Sequence, residues 1–142
     1  MAARTGSAEW RGDLKGGAGT VTVGDGVFEG NYSFASRFEE GDGTNPEELI
    51  AGAHAACYSM ALSGALAADG HVPESVTTTA KVLLRNIDGA PTIARIDLET
   101  EGVVPGIDPT QFQSYAEQAK SGCPVSRALA GVPEIVLTAR LS

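Results

Sequence analysis

Apolar and polar residues alternate in short runs broken by glycine through the first forty residues, a pattern that predicts strands. Ala8 to Trp10 and Thr20 to Val23 are two such runs, and Gly24-Asp25-Gly26 supplies the positive φ of a tight hairpin. A further strand is expected from Tyr32 to Phe38. There Tyr32, Phe34 and Phe38 share one face, leaving Ser33, Ala35 and Arg37 on the other. An Arg beside two small side chains has room to reach a neighbouring group. The period of two returns after Gly70, with Val76, Thr78, Ala80, Val82 and Leu84 on one face. A turn at Asp88-Gly89-Ala90-Pro91 follows, then Ala94, Ile96 and Leu98 on the return strand. A last strand, Glu134 to Leu141, alternates Ile135, Leu137, Ala139 and Leu141 with polar or smaller partners.

Three segments read as helix instead. Thr44-Asn45-Pro46-Glu47-Glu48 places a polar cap ahead of Pro and two acids, which opens a long helix. Leu49 to Ala68 then carries no formal charge and is long enough to span a bilayer. The run contains His54, Ser59, Ser63 and two Gly, is flanked by Glu47, Glu48 and Asp69, and has no Lys or Arg nearby, so a membrane span is rejected. A helix apolar all round is buried all round. A chain made largely of short strands has little material to wrap it, so a second subunit is expected to do so, in preference to a monomer that wraps its own helix. Asp108-Pro109 caps a second helix with Phe112, Tyr115, Ala116 and Ala119 on one face and Gly122 at its end. Cys123-Pro124 opens a short third helix to about Leu129. Strand clusters separated by helices, with mainly hairpin links, make the class α+β, and residues 1–142 are expected to form a single domain.

Composition narrows the function. Ten Lys and Arg against 18 Asp and Glu give a net charge of −8, so the chain has no electrostatic footprint for nucleic acid or an anionic membrane. Met1 to Gly6 carries one Arg with no apolar stretch behind it, which predicts a cytoplasmic protein. Two cysteines, Cys57 and Cys123, are too few and too far apart for a zinc ribbon or a disulfide framework. In a reducing compartment such a pair is either inert core or redox chemistry.

Cys57 falls in the middle of the apolar helix, where burial raises a thiol pKa and only a nearby cation would lower it; Arg37 is the candidate. An inert core thiol is the alternative. With Pro124 at the first helical position, Cys123 becomes the N-cap, beside unpaired N–H groups that favour its thiolate. If the two sulfurs meet, a reversible disulfide follows. His54, three residues before Cys57, would need further partners for hydrolysis or metal binding, and is read as a core or interface histidine with a satisfied hydrogen bond. Glu47 stands ten residues ahead of Cys57, about 15 Å along a straight helix. It reaches that sulfur only from a symmetry-related helix or through a bend. Gly16-Gly17-Ala18-Gly19 lacks the residues of a phosphate loop and reads as a bend between strands.

These residues carry a resemblance. Gly43-Thr44-Asn45-Pro46-Glu47-Glu48-Leu49-Ile50, His54-Ala55-Ala56-Cys57-Tyr58-Ser59-Met60-Ala61-Leu62 and Ala119-Lys120-Ser121-Gly122-Cys123-Pro124-Val125-Ser126 closely resemble the OsmC branch of the OsmC/Ohr hydroperoxide reductases. Ala8-Glu9-Trp10-Arg11-Gly12 and Val104-Pro105-Gly106-Ile107 extend the likeness over nearly the whole length. The resemblance implies an intertwined homodimer, with antiparallel sheets wrapped around long central helices and two active sites at the subunit interface. It also implies that Cys57 is the peroxidatic cysteine, Cys123 the resolving one, and Arg37 with Glu47 the pair that activates the first thiolate. Cys57 would attack the peroxide O–O bond to give an alcohol and a sulfenic acid, which Cys123 converts to a disulfide. Organic hydroperoxides are the implied substrates, and Phe34, Phe38, Tyr58, Met60 and Phe112 are candidate pocket residues. No metal, flavin or haem is implied; an external dithiol, dihydrolipoyl in the Ohr branch, would reduce the disulfide. The two lines of reading conflict on which thiol ionises first. The cap favours Cys123, the family role favours Cys57, and the family role is preferred because an Arg–Glu pair acts through tertiary structure. The competing functions are a non-catalytic binding dimer and a disulfide redox sensor.

Overall fold

In the computed structural model, which describes residues Met1–Ser142, the chain divides into two units, Met1–Leu49 and Ile50–Ser142. In the first, β1 (Gly6–Arg11), β2 (Ala18–Val23) and β3 (Phe28–Tyr32) pair as an antiparallel meander in the order β1-β2-β3. Gly24 and Gly26 take positive φ in the β2–β3 turn, as the sequence pattern anticipates.

The segment after β3 departs from the expected strand. Residues Phe34–Phe38 form a short helix, α1, and the strand ends at Tyr32. The alternation of aromatics from Tyr32 to Phe38 loses to a capping box. The Ser36 N–H donates to the Ser33 hydroxyl at 3.0 Å, and the Ser33 N–H donates to the Ser36 hydroxyl at 2.8 Å. Arg37 therefore sits in the last turn of a helix, and Ser33, Ala35 and Arg37 do not share a strand face.

Helix α2 (Pro46–Ala68) begins as predicted, with Pro at its start, Glu47 and Glu48 in the first turn, and the Asn45 side-chain oxygen accepting from the Glu48 N–H at 2.8 Å. It continues into the second unit. There β4 (Ser75–Ile87) and β5 (Ala90–Val103) make the long hairpin, closed by Asp88 and Gly89, both with positive φ. α3 (Pro109–Gly122), α4 (Pro124–Ala128) and β6 (Glu134–Leu141) follow. β6 pairs parallel to β5, so this sheet, ordered β4-β5-β6, is mixed and not antiparallel throughout. The physical reason is the connection: α3 and α4 fill the crossover that a parallel neighbour requires.

Along β5, Ala94, Ile96, Leu98, Thr100 and Gly102 are buried at period two. Of these, Ile96 and Leu98 join Tyr58, Leu62 and Leu66 of α2 and Phe112 and Ala119 of α3 in one core that also contains Cys123. At Gly102 a Cβ would come within 2.5 Å of the Phe112 ring, so glycine is what lets α3 lie against the strand. Polar ties join α2 to the same sheet. Ser59 donates to Thr78 at 2.8 Å, and Thr78 hydrogen-bonds the buried Thr100 at 2.9 Å.

α2 is not buried all round in this chain. His54, Tyr58, Leu62 and Leu66 are fully buried at a spacing of four, whereas Gly52, Ala53, Ala56, Met60, Gly64 and Ala67 are exposed. The fully buried stripe builds the protein core, which accounts for the hydropathy of the segment without lipid. One face of α2 is therefore left open in this chain, which does not wrap its own helix on every side.

Candidate active site

Two clusters hold the four residues singled out from the sequence. The first lies within Met1–Leu49. Arg37 and Glu47 are ten positions apart, and the Arg37 Nη2 donates to Glu47 Oε1 at 2.8 Å while Nε lies 3.2 and 3.3 Å from the two carboxylate oxygens. Glu47 is 8% exposed, and the Arg37 side chain 36%. Local chemistry fixes the pair. The Asn45 amide donates to the Ser36 carbonyl at 2.9 Å, and the Ser36 hydroxyl donates to the Thr44 carbonyl at 2.7 Å, so the end of α1 is tied to the start of α2. Gly43 makes the turn between them, with φ of +110° and no room for a Cβ against the Asn31 carbonyl at 2.5 Å. The Arg37 guanidinium also lies 5.3 Å from the centre of the Phe38 ring. A cavity of about 210 Å³ opens beside it, lined by Trp10, Tyr32, Phe34, Arg37 and Phe38 among others.

The second cluster lies within Ile50–Ser142. Cys57 on α2 and Cys123 at the α3–α4 junction bring their sulfurs to 3.0 Å, within hydrogen-bond reach, and both are free thiols. Cys123 is fully buried and Cys57 partly exposed, so the outer sulfur is the one a solute meets. Burial pushes the Cys57 thiol up, and the contact with Cys123 adds to this against an opposing Val125 backbone hydrogen bond. Burial also pushes Cys123 up. There the hydrogen bond to Cys57, the Ser126 hydroxyl and the Ser126 and Val125 backbone N–H groups outweigh burial and hold the thiol below its ordinary value. Cys123 is the N-cap residue of α4, although it closes no formal side-chain cap bond. Within this cluster the surroundings favour the thiolate of Cys123 over that of Cys57.

Tyr58, next to Cys57, is fully buried and its hydroxyl donates to the Ala116 carbonyl at 2.9 Å. Tyr58 and Phe112 are therefore core residues and line no open pocket; Phe34 and Phe38 do line a cavity, and Met60 stands exposed on α2. His54 is fully buried, and its Nε2 lies 2.7 Å from the Ser126 hydroxyl. It is only half satisfied, because Nδ1 has no partner. Reasoning from the sequence missed Ser126. Its signal was the spacing Cys123-x-x-Ser126, which returns a side chain to the same face of a helical turn.

A mixed sheet packed on a long helix that carries one of two adjacent free thiols defines a class of thiol protein built around a cysteine pair. The sequence profile of the OsmC-like protein family matches residues 39–138, and the chain belongs to that family. It is 50% identical over 127 residues to the peroxiredoxin OsmC of Escherichia coli strain K12, an alignment covering 89% of each chain. It is 35% identical over 99 residues to the organic hydroperoxide resistance protein of Xanthomonas axonopodis pv. citri, covering 69% of this chain and 68% of the relative. Among solved structures, the organic hydroperoxide resistance protein OhrB of Bacillus subtilis superposes with a TM-score of 0.73 at 25% identity, covering 97% of this chain and 98% of that one.

Proposed function

We propose that this chain is a thiol-dependent peroxidase that reduces organic hydroperoxides to alcohols in defence against oxidative and osmotic stress. The observation that carries the reading is the 3.0 Å approach of two free thiols 66 residues apart in sequence, the outer one partly exposed and the inner one buried. That asymmetry suits a first thiol that meets the substrate and a second that waits for it. The relatives, a peroxiredoxin and an organic hydroperoxide resistance protein, point the same way.

The Cys57 thiolate attacks one peroxide oxygen, the O–O bond breaks, and the alkoxide leaves and takes a proton to become the alcohol. The oxygen stays on Cys57 as a sulfenic acid. Cys123 then attacks that sulfur, expels the oxygen as water and closes the Cys57–Cys123 disulfide, sparing Cys57 from irreversible oxidation. An external dithiol, dihydrolipoyl among the candidates, restores both thiols by exchange.

Cys57 is pushed up by its surroundings within the Ile50–Ser142 unit, so its role needs a cation. Arg37, held by Glu47 in a bidentate grip, supplies it in an assembled homodimer of single-domain subunits, and there it also steadies charge on the departing oxygen. The exposed face of α2 supports that assembly, since a stripe of Gly, Ala and Met left open in one chain suits a second copy. The acidic surface suits a small neutral substrate in the cytoplasm. Steady-state consumption of cumene hydroperoxide with a dithiol tests the reading. The wild type turns over and Cys57→Ser does not; full activity in Cys57→Ser would end the proposal.

A further inference from the structure

The only buried side-chain polar atom without a partner is Nδ1 of His54, a residue whose other ring nitrogen is engaged at 2.7 Å with Ser126. That orphan assigns the tautomer. A proton on Nδ1 would strand a buried N–H donor, whereas a proton on Nε2 leaves only a bare acceptor, and orphaned buried donors are the rarer case. Nε2 therefore carries the proton and donates to the Ser126 oxygen. Burial keeps the imidazole neutral by lowering its pKa from 6.5, so His54 remains a single donor. The Ser126 hydroxyl has one proton of its own, and with its oxygen occupied as acceptor that proton is directed elsewhere. Ser126 stands three residues after Cys123, at the third position of the short helix that Cys123 caps, and both side chains are buried, so the hydroxyl lies on the side of the turn that faces the cap and favours the Cys123 thiolate.

We infer that His54 and Ser126 are positioning residues for the second thiol: the buried imidazole fixes the Ser126 hydroxyl with its proton aimed at the Cys123 sulfur, stabilising the thiolate that closes the disulfide. Hydrogen bonds in such a chain strengthen one another when the terminal acceptor is ionised. The step it serves rests on the peroxidase reading. Cys123 gives up its proton, its thiolate attacks the Cys57 sulfenic sulfur, the S–S bond forms as the S–O bond breaks, and the leaving hydroxide takes up a proton to become water. In the return half of the cycle the same chain stabilises Cys123 as the leaving thiolate when a dithiol attacks Cys57, which speeds reduction. The other titratable groups acting around Cys123 are Cys57 and Tyr58, with Glu117 acting on Tyr58.

The test uses Cys57→Ser protein, in which Cys123 is the one thiol, and reads its thiolate by ultraviolet absorbance near neutral pH without any peroxide. Adding Ser126→Ala or His54→Leu lowers the thiolate fraction about tenfold, the effect of one hydrogen bond to an ionised group. His54→Gln, whose amide can still donate to Ser126, restores most of it. A thiolate fraction unchanged by Ser126→Ala overturns the proposal, and that variant serves if His54→Leu does not fold. A His54→Gln protein no better than His54→Leu overturns the role of the imidazole donor. If the thiolate responds as stated while the two-cysteine protein ignores hydroperoxide, the positioning chain stands and the peroxidase reading falls.

Discussion

Arg37 and Glu47 form a pair in which a nearly buried carboxylate is gripped by a guanidinium that is still about a third exposed. The carboxylate anchors and the cation remains available, which is the arrangement required of a group that must lend positive charge to something else. Arg37→Met is expected to slow hydroperoxide consumption by about 10²-fold or more, since both activation of the thiolate and charge on the leaving oxygen lose support. It also leaves Glu47 unpaired, at a cost of about 1–3 kcal/mol, toward the low end because Arg37 is partly solvated. Pre-steady-state oxidation rates together with urea denaturation separate the two effects. A rate within twofold of wild type contradicts the assignment.

Under the proposed mechanism, Cys123→Ser keeps the first thiol and removes its protector. One equivalent of hydroperoxide is expected to give Cys57 sulfenic acid, and excess to drive it to sulfinic acid, both visible as added oxygen by intact mass. Rapid multiple turnover by this variant with a dithiol, without over-oxidation, contradicts the resolving role.

His54 gives stability a pH dependence with a definite sign. Its pKa in the folded chain lies below 6.5 because burial disfavours the imidazolium. Below about pH 6.5 the unfolded chain binds a proton that the folded chain refuses, so this contribution to stability is present at neutral pH and lost as the pH falls. His54→Gln is expected to flatten the acid limb of the urea midpoint against pH relative to wild type. Parallel acid limbs contradict it.

The second face of α2 makes a prediction about assembly. Met60 is 76% exposed and stands among Gly52, Ala56 and Gly64, so a charge there confronts whatever covers the stripe. Met60→Glu is expected to convert a dimer to monomers by light scattering, with secondary structure retained. A dimer of unchanged affinity places the interface elsewhere.

Much of this was legible along the chain because local chemistry and packing agree there. The hairpin turn at Asp88-Gly89, the Asp108-Pro109 helix start and the inward series Ala94, Ile96 and Leu98 all follow from period and turn residues. Arg37 was placed on a strand because a run of aromatics at even spacing outweighed two serines. A capping box four residues long decides such a segment, and periodicity cannot see it. The parallel placement of β6 depends on where a crossover returns, which no local pattern encodes. The same holds for Ser126, whose importance comes from a histidine 72 residues away. The ionisation order was legible only in part. The position at the α4 cap pointed to Cys123, and the bonds around its sulfur agree, while the cation proposed for Cys57 belongs to assembly and lies beyond a single chain's pattern.

The central claim is that Cys57 and Cys123 form a peroxide-driven disulfide. One equivalent of an organic hydroperoxide added to the fully reduced protein, followed by intact mass and a free-thiol count, tests it directly. Loss of two hydrogens and of both thiols within the mixing time, reversed by a dithiol, is the predicted result. An unchanged mass with both thiols still titratable would contradict it and leave the pair as structural cysteines in a non-catalytic dimer.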